Sequence, residues 1–395
     1  MRKTSVNIFL ACILAFVSCE DTHVKTIPNP FKGVLRSTVE LSMCGEKVFA
    51  LDSVSAPSPA YVQFLTLNGR RTLSYLNRYM SSIYLYDYDS GEFISRNSFK
   101  QPIEDEIRNP GGYFILNADS VYILDMAKMN LDLVNLTTGH LVGVSSLKGN
   151  EGRKWPMKYP QYNLSGSNPM WNIGDDIILT GQLFWSIPSD DIDKFHFSTH
   201  VNKSSGYVSF HDCYPKEVYG EGYNWDGGLQ TGPSMTVTPD RKFAYSFPPS
   251  HDIYLYDSES GDYEYVYGGS NFADVISSID CKDKKKTPRD DMFLNYIRQD
   301  MYGPIIYDPY KEIYYRFLFR KISDDKHNSI QDKDINIVIM DKDFGYLGET
   351  CIGNGKEWNA KNAYVTEEGL NIEYFAPNDF SEDNLRFKIF NIKLL

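Results

Sequence analysis

The chain has 395 residues, 42% hydrophobic and 23% charged, with a formal net charge of −12. That is a globular composition, too apolar for a disordered chain. Its acidic balance argues against nucleic acid or a polybasic membrane patch as partner, since both demand clustered Lys and Arg. The length suits one large repeat domain or two to three ordinary ones. Aromatic residues reach 14%, with 29 Tyr and 23 Phe; broad rings cover a pleated, half-buried surface well, so an all-β body is expected.

In chain order, Arg2 and Lys3 precede an apolar stretch from Val6 to Val17, broken only by Asn7. This is a charged start and a short apolar region, the pattern of an export signal, and it is too short to span a membrane. It closes with Ala15, Phe16, Val17, Ser18 and Cys19. A small residue just before a cysteine resembles the lipobox of bacterial lipoproteins, although Phe16 stands where Leu is usual. The resemblance implies a signal peptide over 1–18, lipid on Cys19 and a lipid-anchored linker over 19–36; the alternative is an ordinary secretory signal. Glu20 and Asp21 are similar to the acidic tag that sends Bacteroidetes lipoproteins to the outer cell face. Cys44, Cys213, Cys281 and Cys351 are widely spaced, without C-x-x-C, so zinc and redox motifs are not expected. Disulfides and buried free thiols both stay open.

The remainder, 37–395, reads as a single domain built on a repeat. An apolar run, then Asp or Asn, three residues and Gly recur at Asp87/Gly91, Asn135/Gly139, Asn202/Gly206, Asp257/Gly261 and Asp341/Gly345. A sixth copy, Phe387 to Asn391, meets the chain end before its glycine. Asp or Asn opens a turn by bonding its own backbone two residues on, and Gly supplies the positive φ that a longer hairpin requires. The clearest unit runs from Ser234 to Val237, through a turn at Thr238 to Arg241, to Lys242–Phe247, Asp252–Tyr256 and Tyr263–Tyr267. That is four strands, the content of one propeller blade. Similar units fall at 60–99, 111–147, 168–215, 302–353 and 362–394, the last with three strands. Val39 to Phe49 is a spare strand able to complete the last unit. The expectation is a six-bladed β-propeller closed by an N-terminal strand. Residues 268–303 read as a partly helical insertion, because Phe272–Ile276 and Met292–Ile297 have helix-like patterns; a hidden seventh blade is the alternative.

Glycine-containing links recur at Gly149 and Gly152, at Gly268-Gly269, and at Gly353 and Gly355. With the lipobox, this resembles the Bacteroidetes six-bladed propeller lipoproteins of unknown function, similar to NHL- and TolB-type propellers. The resemblance implies the fold and an outer-membrane, lipid-anchored location, and it carries no catalytic residues.

The links 148–168, 216–232, 268–303 and 354–362 should gather on one face, and three are long enough to suggest functional loops. On or beside them lie Tyr159, Tyr162, Trp155, Trp171, Tyr223, Trp225 and Trp358, with Arg153, Glu221, Asp226, Arg289 and Lys356. Rings beside carboxylates suit a sugar, whose apolar face packs on the aromatic; packing of the loops onto the body is the competing explanation. No G-x-S-x-G, H-E-x-x-H, P-loop or EF-hand loop occurs. His196, His200 and His211-x-Cys213 are too few for a defined metal site, and the basic run Lys282–Lys286 reads as a solvated loop. Glu217, Glu221 and Asp226 could supply paired carboxylates for glycoside cleavage. The expected role is a non-enzymatic binding module for a glycan, peptide or protein, without cofactor or metal. It would touch the membrane only through its lipid, as a monomer or part of an envelope complex. A glycan-active enzyme or a structural subunit of an outer-membrane assembly are the alternatives.

Overall fold

The computed structural model describes residues 23–55, 59, 61–99, 107–148, 159–183, 189–280, 286–324, 326, 328–375 and 383–395. Cys19, Arg153 and Trp155 lie outside them, as do Cys281 and most of the basic run.

The described chain is all-β and propeller-like, a succession of four-stranded antiparallel meanders. The first sheet holds Val62–Leu67, Arg70–Asn77, Ser82–Asp87 and Phe93–Ser98 in sequence order. Its first turn is Asn68-Gly69 with φ of 52° and 78°, the two positive values that a tight hairpin needs. The second holds Pro110–Asn117, Ser120–Asp125, Asn130–Val134 and Leu141–Ser146. In the third, Gln161–Tyr162, Asp176–Gln182, His196–Asn202 and Val208–Cys213 pair in that order, and Trp171–Ile173 also pairs with Asp176–Gln182. The fourth holds Ser234–Val237, Phe243–Ser246, Asp252–Tyr256 and Tyr263–Tyr267, close to the sequence expectation. The fifth holds Met301–Asp308, Ile313–Phe319, Asp334–Asp341 and Tyr346–Asn354.

Chain ends meet in the sixth sheet. Trp358–Thr366, Gly369–Tyr374 and Asn384–Leu394 are followed in space by Val39–Ala50, which pairs antiparallel with Asn384–Leu394 from Val39–Leu394 to Ala50–Asn384. Val39 also pairs in parallel with Gly348, joining the fifth and sixth sheets at their outer edge.

Four of the hairpin corners follow the predicted chemistry. The Asp87 carboxylate accepts from the amides of Asp89 and Ser90, and Gly91 N–H closes onto Asp87 O at 2.9 Å with φ 75°. Asn135/Gly139, Asn202/Gly206 and Asp257/Gly261 repeat this, with glycine φ of 73°, 68° and 73°. At the fifth corner Phe344, not Gly345, takes the positive φ, 65°. The sixth copy is no hairpin: Asn391 lies within a strand opposite Ser42, because the fourth strand comes from the other end of the chain.

Each pair of neighbouring sheets shares an apolar cluster. Phe49, Phe387 and Tyr364 of the sixth sheet pack with Leu73, Tyr75, Tyr84 and Tyr86 of the first. Ile83, Tyr113, Ile123 and Leu179 join the first three, and Phe197, Tyr245 and Tyr254 join the third and fourth. Ile253 and Val338 join the fourth and fifth, and Phe317, Ile339 and Ile372 the fifth and sixth. Burial of such side chains stabilises by about 1.5–3 kcal/mol each.

Between the first strands of the sheets lies the turn 165–168. Ser167 donates its amide and hydroxyl to Lys361 O of the sixth sheet at 2.9 and 3.1 Å. The Asn168 carboxamide accepts from Met235 N–H of the fourth at 3.0 Å. A Cβ on Gly166 would lie 2.7 Å from Val62 of the first. This turn therefore ties the first, fourth and sixth sheets together.

Two expectations fail locally. Phe272–Ile276 is not helical; Ile276–Ser277 is a short strand paired with Thr26–Ile27, and the helix is confined to Arg289–Arg298. Residues 23–36, expected as a linker, are instead strapped onto the 268–278 link. Asn29 donates to Ser270 O and Ala273 O, Gly33 N–H to Asn271 O, and Lys32 pairs with Asp274 at 3.0 Å.

Two corner glycines separate backbone strain from crowding. A Cβ at Gly139 would lie 2.2 Å from Ser98 O, whereas at Gly261 it would meet nothing. Gly261→Ala should cost about 1–2 kcal/mol from the left-handed backbone alone, and Gly139→Ala clearly more. Denaturant melts of the two variants check this; equal losses would remove the crowding argument.

Candidate functional site

The link 216–232 crosses from the third sheet to the fourth. It begins with the single turn Lys216–Tyr219 and ends in a tight loop around Asp226, whose φ is 54°. Trp225 is fully buried and donates its indole N–H to Val218 O at 2.9 Å, which pins the loop to that turn. Tyr223 is half-buried and packs against the cluster between the third and fourth sheets. Its ring stacks on His23 with centroids 5.0 Å apart, its hydroxyl donates to Glu221 at 2.9 Å, and Lys25 Nζ lies 5.6 Å from its centre. The His23 ring also bonds Glu221 O at 2.8 Å.

Below this surface lies a buried polar joint. The Asp226 carboxylate accepts from Gln230 at 2.5 Å and from Asn295, on the helix Arg289–Arg298, at 2.7 Å. Burial pushes its acid up to about 7, against the pull of those amides and of Lys333. Burial likewise lowers Lys333 to about 7, opposed by Asp300 and Asp226. Lys333 donates to Gln299 O. Asp300 accepts from Arg320 at 3.0 Å and from the amides of Lys321 and Asp274 at 2.8 and 2.7 Å. Two groups titrating near neutrality resemble an acid–base pair. Here, however, Asp226 is 1% exposed and Lys333 fully buried, so the arrangement fastens the helix to the sheets and does not face a substrate.

The sequence-derived site residues thus separate into groups. Glu221, Tyr223, Asp226, Arg289 and Lys356 lie along one connected run of links. Arg289 is exposed at the start of the helix that bonds Asp226, and Lys356 forms an ion pair with Asp332, beside Lys333. Tyr159, Tyr162 and Trp358 are buried in the core: Tyr162 bonds Thr199 at 2.8 Å, and Trp358 packs on Tyr374 and Phe390. Trp171, half-buried, leans on the cluster between the third and fourth sheets. Trp225 belongs to the packing as well. The carboxylates do not gather either: Glu217 accepts from Tyr263, Glu221 from Tyr223, and Asp226 is closed to solvent.

Several participants escaped the sequence reading. His23 and Lys25 sit in the segment read as a linker, and Asn295, Lys333 and Asp300 carry no local signal. Arg316 had one: it is a lone cation inside the apolar strand Ile313–Phe319. It is fully buried, bonds Ser246 Oγ and the carbonyls of Ser250, His251, Asp252 and Gly268, and lies 3.9 Å from the centre of Tyr302.

Two clefts open away from the links. One, of about 340 Å³, is lined by Asn68, Arg70, Ile94, Asn97 and Thr137; the other, of about 380 Å³, by Asp176, His200, Asn202, Tyr207 and Ser209. Beside the second, the His200 and His211 rings lie 4.1 Å apart, tilted by 35°. Among the described residues no group of three or more His, Cys, Asp or Glu is arranged to hold a metal, and Cys44, Cys213 and Cys351 are free thiols.

Residues 38–351 match the model of a family described as a domain of unknown function, DUF4221. The chain belongs to the DUF4221 family. A solved structure of another family member, from Bacteroides vulgatus, is 18% identical, covers 91% of this chain and 99% of its own, and superposes with a TM-score of 0.78. A Bacteroides fragilis protein for which export is proposed is 12% identical, covering 90% and 96%, with a TM-score of 0.55. At these identities the likeness is one of fold. No curated protein matches, and no helix among the described residues is long and apolar enough to cross a membrane.

The buried joint predicts a pH dependence. Because the fold raises the Asp226 pKa from 3.8 to about 7, folding is unpenalised below pH ~4 and loses stability as pH climbs through ~7. Asp226→Asn cannot ionise. Its melting temperature should equal or trail that of the parent at pH 4 and overtake it steadily towards pH 8. A constant difference across that range would show that Asp226 is not held protonated.

Proposed function

We propose that the six sheets form a closed six-bladed propeller, exported and held at the outer membrane by lipid on Cys19, and that it acts as a non-enzymatic binding module through its inter-blade loops. Closure is supported by the apolar clusters joining every neighbouring pair of sheets, including the sixth and first. It is further supported by the N-terminal strand that supplies the fourth member of the sixth sheet. Six four-stranded sheets, with a short helix and a two-residue strand in the 268–303 link, favour six blades over seven.

The observation that carries the binding role is Tyr223, a half-buried ring flanked by Glu221, His23 and Lys25 on the longest run of loops. An aromatic face with a carboxylate at its rim suits a carbohydrate: the ring takes the apolar sugar face and the carboxylate takes hydroxyls. Arg289 and Lys356, exposed further along the same run, add cationic partners for acidic sugars. The engaged, separated carboxylates favour binding over glycoside cleavage, which needs two facing acids about 5–10 Å apart.

A glycan array probed with the intact protein tests this, followed by titration of the strongest glycan against Tyr223→Ala and Glu221→Gln. Binding should weaken about tenfold in each variant; Glu221→Gln, at an exposed side chain, should keep its melting temperature, and circular dichroism checks that Tyr223→Ala stays folded. Failure to retain any glycan, or full binding by both variants, would discard the carbohydrate reading. Release of shorter products would move the assignment to an enzyme.

A further inference from the structure

We infer that the cleft between the first and second sheets is a binding site for a small organic acid, an apolar body that carries one carboxylate. The cleft belongs to other sheets than the 216–232 link, so it is independent of any glycan at Tyr223. Strand pairing in the first sheet builds its near side. Side chains two apart along a strand share a face, and so do those of directly paired residues. Thr72 is two beyond Arg70 and pairs with Asp87; Asp87 is two beyond Leu85, which pairs with Ser95, two before Asn97. Arg70, Thr72, Leu85, Ser95 and Asn97 therefore share one face, and all of them line the cleft. Across from them stand Ala118, Leu136 and Thr137 of the second sheet's turns. The Thr137 hydroxyl donates to Ala118 O at 3.3 Å, which fixes that far side.

The volume, about 340 Å³, suits a small molecule and equals the liquid volume of about eleven waters. Its floor is apolar. Leu85 and Leu136 are buried members of the core shared by the first three sheets, and Leu67 packs against that core. Ile94, 37% exposed, stands at the wall. Such a surface favours an aliphatic or aromatic group over water. The polar partner is Arg70. Its Nε lies 3.4 Å from one Asp87 oxygen, while the other accepts from the amides of Asp89 and Ser90 and from the Ser90 hydroxyl. The hairpin corner thus holds the carboxylate, and the carboxylate holds the guanidinium. The two Nη groups make no bond to any described residue. A guanidinium fork matches the two oxygens of a carboxylate, and a fork fixed in advance loses less freedom on binding. Inorganic phosphate would leave the floor unfilled, and a plain hydrocarbon would leave the fork unmatched. An amphipathic acid answers both.

The test is calorimetric titration of the intact protein with 3-phenylpropionate. Two comparators separate the parts of the argument: 3-phenylpropionamide has the body without the charge, and acetate the charge without the body. The acid should bind about tenfold more tightly than either. Arg70→Met keeps the side-chain stem and removes the fork; it should weaken the acid about tenfold and leave the amide unchanged. Ile94→Asn should weaken acid and amide alike, by about threefold. Both positions are exposed, and circular dichroism checks that each variant stays folded. Arg70→Lys keeps the charge but not the fork, and its expected threefold or so loss serves if Arg70→Met does not fold. Absence of binding at about 10 mM acid overturns the site. So does an acid that binds no better than its amide, or one whose affinity none of these substitutions changes.

Discussion

Everything in this fold depends on one ladder, the antiparallel pairing of Val39–Ala50 with Asn384–Leu394. Three strands arriving from the C-terminus would leave the sixth sheet with an open row of N–H and C=O groups, a template for pairing with another chain. The N-terminal strand covers that row. It also brings Phe49 against Tyr86 and Phe387, with ring centres 5.6 and 6.2 Å away, so the same ladder builds the seam between the first and last sheets. The last amide donates to Thr38 O at 3.0 Å, which ties the two ends of the body within one residue of each other.

The remaining polar chemistry of the interior is spent on holding sheets together. Arg316 has no buried carboxylate bonded to it; it satisfies its donors on backbone carbonyls between the fourth and fifth sheets, where an unpaired polar group would otherwise carry a desolvation penalty. The carboxylate of Glu349 accepts from Ser270, Asn271 and Asn336, fixing the start of the long link. Asp226, Lys333 and Asp300 do the same for its helix. Rigid attachment of these links is what allows a half-buried ring such as Tyr223 to be presented in one place, and it explains why titratable groups with displaced pKa values occur here without an opening to a substrate.

What was legible in the sequence follows from how local each signal is. The Asx-plus-glycine corners were readable because the carboxylate or carboxamide bonds amides two and three residues on, and glycine answers the backbone within the same turn. The unit from Ser234 to Tyr267 was readable because all its strands are joined by such local turns. Asn391 misled because its strand partner is encoded some 350 residues earlier, at Ser42. Phe272–Ile276 has an apolar pattern compatible with a helix, yet its backbone groups are claimed by Asn29, Asp300 and the strap, and those contacts override the local preference. Among loop aromatics, composition alone could not tell Trp225, sealed under its own loop, from Tyr223 two residues earlier, only half-buried.

The joined ends also set a timetable for synthesis. The strand at 39–50 is made early and its partner at 384–394 far later, so the sixth sheet cannot form until residues 384–394 have been made. Until then the early strand lacks the partner that covers its row of N–H and C=O groups. The sixth sheet therefore locks only once both strands have reached the same compartment.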